Sequence, residues 1–118
     1  MEEGKPAKVA VKFDDFARLD LRVARVTAAA EHPNADKLLI LKVDLGAEQR
    51  QICAPLKNHY RPEDLVGKLV IVLTNTEPRN MRGEVSQGMV LVANEGAMRE
   101  RVIFLTPSAE VAVGSAVS

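Results

Sequence analysis

The chain has 118 residues, 47% hydrophobic and 27% charged, which is enough for one core and too few for a second independent domain. Sixteen basic residues balance sixteen acidic ones, so a uniformly basic nucleic-acid surface is excluded and any polyanion site must be a local patch. Cys53 is the single cysteine, so no intramolecular disulfide forms, and no apolar run approaches the roughly 18 residues of a membrane helix; the sequence reads as cytoplasmic, with no membrane association.

Residues 1–12 mix charges with Gly, Pro and Ala, the composition of a flexible linker or tail, which leaves residues 13–118 for the folded domain. Asp14 or Asp15 is expected to cap a helical turn through Ala17, with Phe13 and Phe16 on one side plugging an end of a barrel. From Leu19 the pattern alternates with period two, and its phase slips by one at Val26, where a bulge would bend the strand. The turn signal His32-Pro33-Asn34-Ala35-Asp36 separates it from a second alternating strand, Leu39, Leu41, Val43 and Leu45, ending at Gly46.

Arg50 to Ala54 reads as a third strand, and Pro62 to Gly67 as a helical turn opened by Pro and closed by Gly. Leu69 to Leu73 is a continuous apolar run, as in a strand buried on both faces, and Met89 to Ala93 repeats that character. Val102 to Leu105 adds one more short strand. The fold class expected is all-β: a small five-stranded oligonucleotide-binding (OB-fold) β-barrel with short helical turns and a C-terminal extension.

His32, His59 and Cys53 lie in separate segments without metal-ligand spacing, and no nucleophile elbow or glycine-rich phosphate loop is present. No catalytic residue, metal or cofactor is therefore assigned. Only Phe13, Phe16, Tyr60 and Phe104 are aromatic, which argues against extensive base stacking but leaves recognition of shape and phosphate open.

The positive signals for such recognition are local. Arg79 and Arg82 stand three apart in a Pro- and Gly-containing loop between two strong strands, placed to present two guanidinium forks from a barrel rim. From spacing alone, a solvated loop is the simpler account. Ser86-Gln87-Gly88-Met89 closes the loop with hydrogen-bonding side chains and a glycine that permits close approach. Asn34 and Lys37 lie in the first hairpin, and Lys42, Arg22 and Arg25 on its strands would extend a basic strip if they face solvent.

The runs FARLDLRVARV (Phe16 to Val26), HPNADKL (His32 to Leu38) and MRGEVSQGMVLVA (Met81 to Ala93) resemble the tRNA-binding domain family. That family includes the C-terminal appendage of bacterial methionyl-tRNA synthetases, free-standing bacterial tRNA-binding proteins and the endothelial-monocyte-activating polypeptide. The resemblance implies a non-catalytic barrel that recognises the outer corner of tRNA by structure and serves an aminoacyl-tRNA synthetase partner. It also implies that Asn34, Lys37, Ser86 and Met89 lie at the RNA surface, and that two copies pair through the region outside the barrel, including Val102 to Val117. One branch of the family is a secretion chaperone, so a protein-binding, export-chaperone-like dimer is the alternative. Ala54 to His59 departs from the apolar stretch of many bacterial members, and its Asn58-His59 pair looks more like the animal relatives.

Overall fold

A computed structural model describes residues 7–118, so the expected tail over residues 1–12 falls partly outside the described residues. Its strands are β1 (Leu21–Glu31), β2 (Leu39–Asp44), β3 (Gln49–Ala54), β4 (Leu69–Leu73), β5 (Arg79–Met81), β6 (Glu84–Ser86), β7 (Met89–Val90), β8 (Val92–Glu95), β9 (Arg101–Phe104) and β10 (Ala116–Val117). Two short helices, α1 (Phe13–Ala17) and α2 (Pro62–Leu65), accompany them. The main sheet is antiparallel in the order β3-β2-β1-β4-β7, with β10 added to β1, and it curls into the expected small barrel.

The long strand β1 makes this curvature possible. It pairs with β4 over Leu21 to Arg25 and with β2 over Arg25 to Glu31. The register on β2 passes from Val26↔Val43 to Ala28↔Lys42, leaving Thr27 as the extra residue of a bulge. This is where the alternation of the sequence slips, and the added residue bends the strand. Leu39, Leu41 and Val43 of β2 are fully buried against Ile52, Val70 and Val72. Each fully buried leucine stabilises the barrel by about 2 kcal/mol.

The expected plug proves different. The N-cap of α1 is Lys12, without a side-chain cap, and Phe13 and Phe16 remain 78% and 41% exposed. The chain leaving α1 is held outside the barrel by Asn75, whose side-chain amide donates to the Arg18 carbonyl (2.7 Å) while its oxygen accepts from the Asp20 N–H (2.8 Å). The helix that closes the barrel is α2, opened by Pro62, which buries Leu65 completely in the main core.

Three further elements depart from the sequence pattern. The expected loop around Arg79 is a hairpin, β5 paired with β6, turned by Arg82 (φ 59°) and Gly83 (φ 97°). Two central residues at positive φ match the right-handed twist of a two-residue hairpin. The apolar run Met89 to Ala93 is divided at Leu91: β7 pairs with β4, whereas β8 pairs with β9. The C-terminal β10 pairs with Leu21 and Arg22, and Val113 and Val117 cover a second apolar cluster of Leu21, Val23, Leu69 and Ile71.

Candidate nucleic-acid interface

Both parts of the expected site lie at one end of the barrel, and a buried histidine joins them. His32 is 3% exposed at the end of β1. Its Nδ1 accepts from the Asn34 N–H at 2.9 Å, and its Nε2 lies 2.7 Å from the Met81 carbonyl. A carbonyl can only accept, so the proton sits on Nε2 and the ring links the Asn34 turn to the β5–β6 hairpin. Arg82 Nε donates to the Asn34 carbonyl (3.1 Å), drawing the hairpin tip over the same turn.

The hairpin is fastened to β3 by side chains. Gln51 and Gln87 exchange two bonds, Gln87 N–H to the Gln51 carbonyl (2.8 Å) and Gln51 N–H to Gln87 Oε1 (3.0 Å). The Gln51 amide donates to Glu84 Oε1 (3.1 Å) and to the Val85 carbonyl (3.0 Å), while its oxygen accepts from Lys42 Nζ at 2.6 Å. Ser86 is 3% exposed; its hydroxyl accepts from the Cys53 N–H and donates to the Gly88 carbonyl, each at 2.9 Å. Ser86 therefore acts as a bracket behind the surface. Burial first, and the Glu84 carboxylate second, push the Cys53 thiol up from its ordinary value.

Asn34, Lys37, Lys42, Arg79, Arg82 and Met89 are all exposed, Met89 by 44% on β7. The Lys37 carbonyl accepts from the Lys57 N–H (3.4 Å), bringing the 55–59 segment alongside the turn. Among the described residues, Lys37, Lys42, Arg79 and Arg82 make no ion pair. Arg22, Arg25, Arg50, Lys57, Arg61 and Arg101 each face a carboxylate. Among the described residues Lys8, Lys12, Arg18, Lys68 and Arg99 make none either, so what marks this part of the chain is that four such cations stand on the first turn, β2 and the β5–β6 hairpin.

Arg22 and Arg25 do not extend that strip. Arg22 bonds Asp20 and the Gly114 carbonyl, and Arg25 bonds the Gly67 carbonyl and Glu110, so both tie the C-terminal segment to β1. The hydrogen bond from Arg22 holds the Asp20 carboxyl below the usual range. The residues that sequence reasoning underrated are His32, seen only as part of a turn, and Gln51. The signal for Gln51 was its register: it stands directly across from Lys42.

A nearly closed antiparallel barrel with unpaired cations and amide side chains at one end defines a polyanion-binding module of the oligonucleotide-binding barrel class. The sequence profile described as a putative tRNA binding domain matches residues 21–116, and the chain belongs to that family. It is a non-catalytic tRNA-binding domain. The methionine–tRNA ligase of Pyrococcus horikoshii is 51% identical over 119 residues, covering 99% of this chain and 16% of the relative, so the chain spans about a sixth of that protein's length. Among solved structures, a MetRS related protein from Pyrococcus horikoshii superposes with a TM-score of 0.86 at 31% identity, covering 94% of this chain and 100% of that one. The chaperone CsaA of Bacillus anthracis superposes with a TM-score of 0.84 at 32% identity, covering 93% of this chain and 100% of that one. Among the described residues no helix is long and apolar enough to cross a membrane.

Proposed function

We propose that tRNA is held on the face carrying Asn34, Lys37, Lys42, Arg79, Arg82 and Met89, with Ser86 and His32 fixing the backbone behind it. The observation that carries this reading is that His32 and Arg82 bond the Asn34 turn to the β5–β6 hairpin, which groups cations from both. Lys37, Lys42, Arg79 and Arg82 make no ion pair among the described residues, while six others each face a carboxylate. Guanidinium and ammonium groups on a rigid rim suit phosphate oxygens, and a surface with few aromatics reads backbone shape rather than unstacked bases.

Residues 13–118 form the binding domain in this reading, with residues 1–12 as its tether. It works in the cytoplasm beside or within a methionyl-tRNA synthetase. Tethering raises the effective concentration of a weak RNA site. Two copies pair through the region outside the barrel, where Leu105 and Val111 of the C-terminal segment and Phe13, Phe16 and Leu19 in and after α1 are exposed. Sedimentation at micromolar concentration is expected to give twice the chain's mass.

The deciding experiment is a fluorescence-anisotropy titration of labelled tRNA, with double-stranded RNA and an unfolded protein as competitors. Arg79→Ala with Arg82→Ala is expected to weaken binding by about tenfold or more, as loss of two phosphate contacts requires. The likeness to the chaperone CsaA favours a second reading, in which the barrel takes unfolded protein. Displacement of tRNA by unfolded protein, with no effect of the double substitution, would establish that reading instead.

A further inference from the structure

Lys42 and Glu84 both approach Gln51, yet they form no ion pair with each other. The Gln51 amide stands between them, accepting from the Lys42 ammonium at 2.6 Å and donating to the Glu84 carboxylate at 3.1 Å. Its orientation is fixed chemically, because the same nitrogen also donates to the Val85 carbonyl, which offers no proton in return. The backbone of Gln51 is held as well, by both bonds to Gln87.

We infer that Gln51 is a positioning residue for RNA binding: it insulates Lys42 from Glu84 and so keeps the ammonium charge available to a phosphate. A shorter apolar residue at position 51 leaves the cation and the carboxylate free to neutralise one another across the gap. A carboxylate there would neutralise the lysine directly. The amide can satisfy both charged groups because one end only accepts and the other only donates.

The inference rests on Lys42 belonging to the RNA-binding face, and the test separates the two. Bulk labelled tRNA is titrated against the full chain across a salt series, which reads both affinity and the number of phosphates neutralised. Lys42→Ala is expected to weaken binding about fivefold and to lower the salt slope by about one. Gln51→Ala should reproduce both changes with Lys42 still present, and adding Glu84→Gln should restore both to within about twofold of Glu84→Gln alone. Loosening of the hairpin would not be rescued by neutralising Glu84. Gln51→Val, shorter than glutamine and well suited to a strand, repeats the comparison should alanine disturb folding. If Lys42→Ala changes nothing, the assignment of Lys42 to the RNA face fails and the inference falls with it. If Lys42→Ala acts as expected but Gln51→Ala keeps its full slope, or its loss survives Glu84→Gln, the inference alone is overturned.

Discussion

His32 shows how much a single side chain organises. Each ring nitrogen serves a different loop, so truncation separates the Asn34 turn from the Arg79 hairpin and leaves the Met81 carbonyl without its partner. His32→Asn retains an acceptor near the Nδ1 position but cannot span to Met81. We expect it to keep the barrel's circular-dichroism spectrum while weakening tRNA binding by about two- to tenfold, the range for one lost hydrogen bond. Unchanged affinity would show that the two loops need no mutual alignment. Cys53 gives a prediction of the opposite kind, about inertness. Its folded-state pKa is raised, so the stability linked to the protonated thiol is complete below the unfolded value of about 8.5 and is lost as pH climbs through the folded one. Iodoacetamide at pH 8 should therefore label the native protein far more slowly than the urea-unfolded chain. Equal rates would mean that the barrel opens around β3 far more readily than its burial implies.

At the scale of elements, the joint between β6 and β7 carries the chain from Ser86, bonded to β3, to Met89, paired with β4, and Gly88 makes it possible. Its φ is 143°, and a Cβ at that position would lie 2.9 Å from the Leu73 carbonyl oxygen. Gly88→Ala meets both a strained backbone and a backbone clash, at a combined cost of about 2 kcal/mol or more. The midpoint of thermal unfolding should fall by roughly 10 °C. A melt unchanged from the parent would mean that the joint moves freely. Elements whose residues alternate strictly were legible from sequence: β2 with Leu39, Leu41 and Val43 inward, the bulge after Val26, and the Pro62 helical turn. The β5–β6 hairpin was not, because two three-residue strands are too short for a period to emerge and its turn is Arg-Gly rather than Asn-Gly. Nor was β10 visible, since two residues pair only because the chain returns to β1. The plugging role given to Phe13 and Phe16 failed for a related reason: helical spacing shows that two rings share a side, not what lies opposite. Within the site, exposure of Asn34, Lys37 and Arg82 followed from their turns, whereas Arg79 is exposed on the strand β5. The commitment of the Ser86 hydroxyl to Cys53 and Gly88 is a long-range contact that no local pattern encodes.

For the whole molecule, zero net charge and RNA binding are compatible only if charge is sorted in space. At physiological ionic strength the screening length is about 8 Å, so carboxylates beyond that distance do little to cancel the cations at the barrel's end. Of those nearby, Glu84 is held by Gln51 and Glu31 by Lys57 across 3.8 Å, while Asp36 and Glu77 stand next to Lys37 and two residues from Arg79 in the chain and offset part of their charge. If Lys37, Lys42, Arg79 and Arg82 each displace one condensed counterion, the logarithm of affinity should fall against the logarithm of salt with a slope of about 3 to 4. A fourfold rise in salt, from about 50 to 200 mM, then weakens binding roughly 100-fold. A slope near twice that would report one RNA spanning both faces of a dimer, and it should halve when the exposed Phe13 and Phe16 are replaced by serine and the assembly becomes monomeric. A slope below about one would mean that the unpaired cations do not meet phosphate, and the site would have to be sought elsewhere on the barrel.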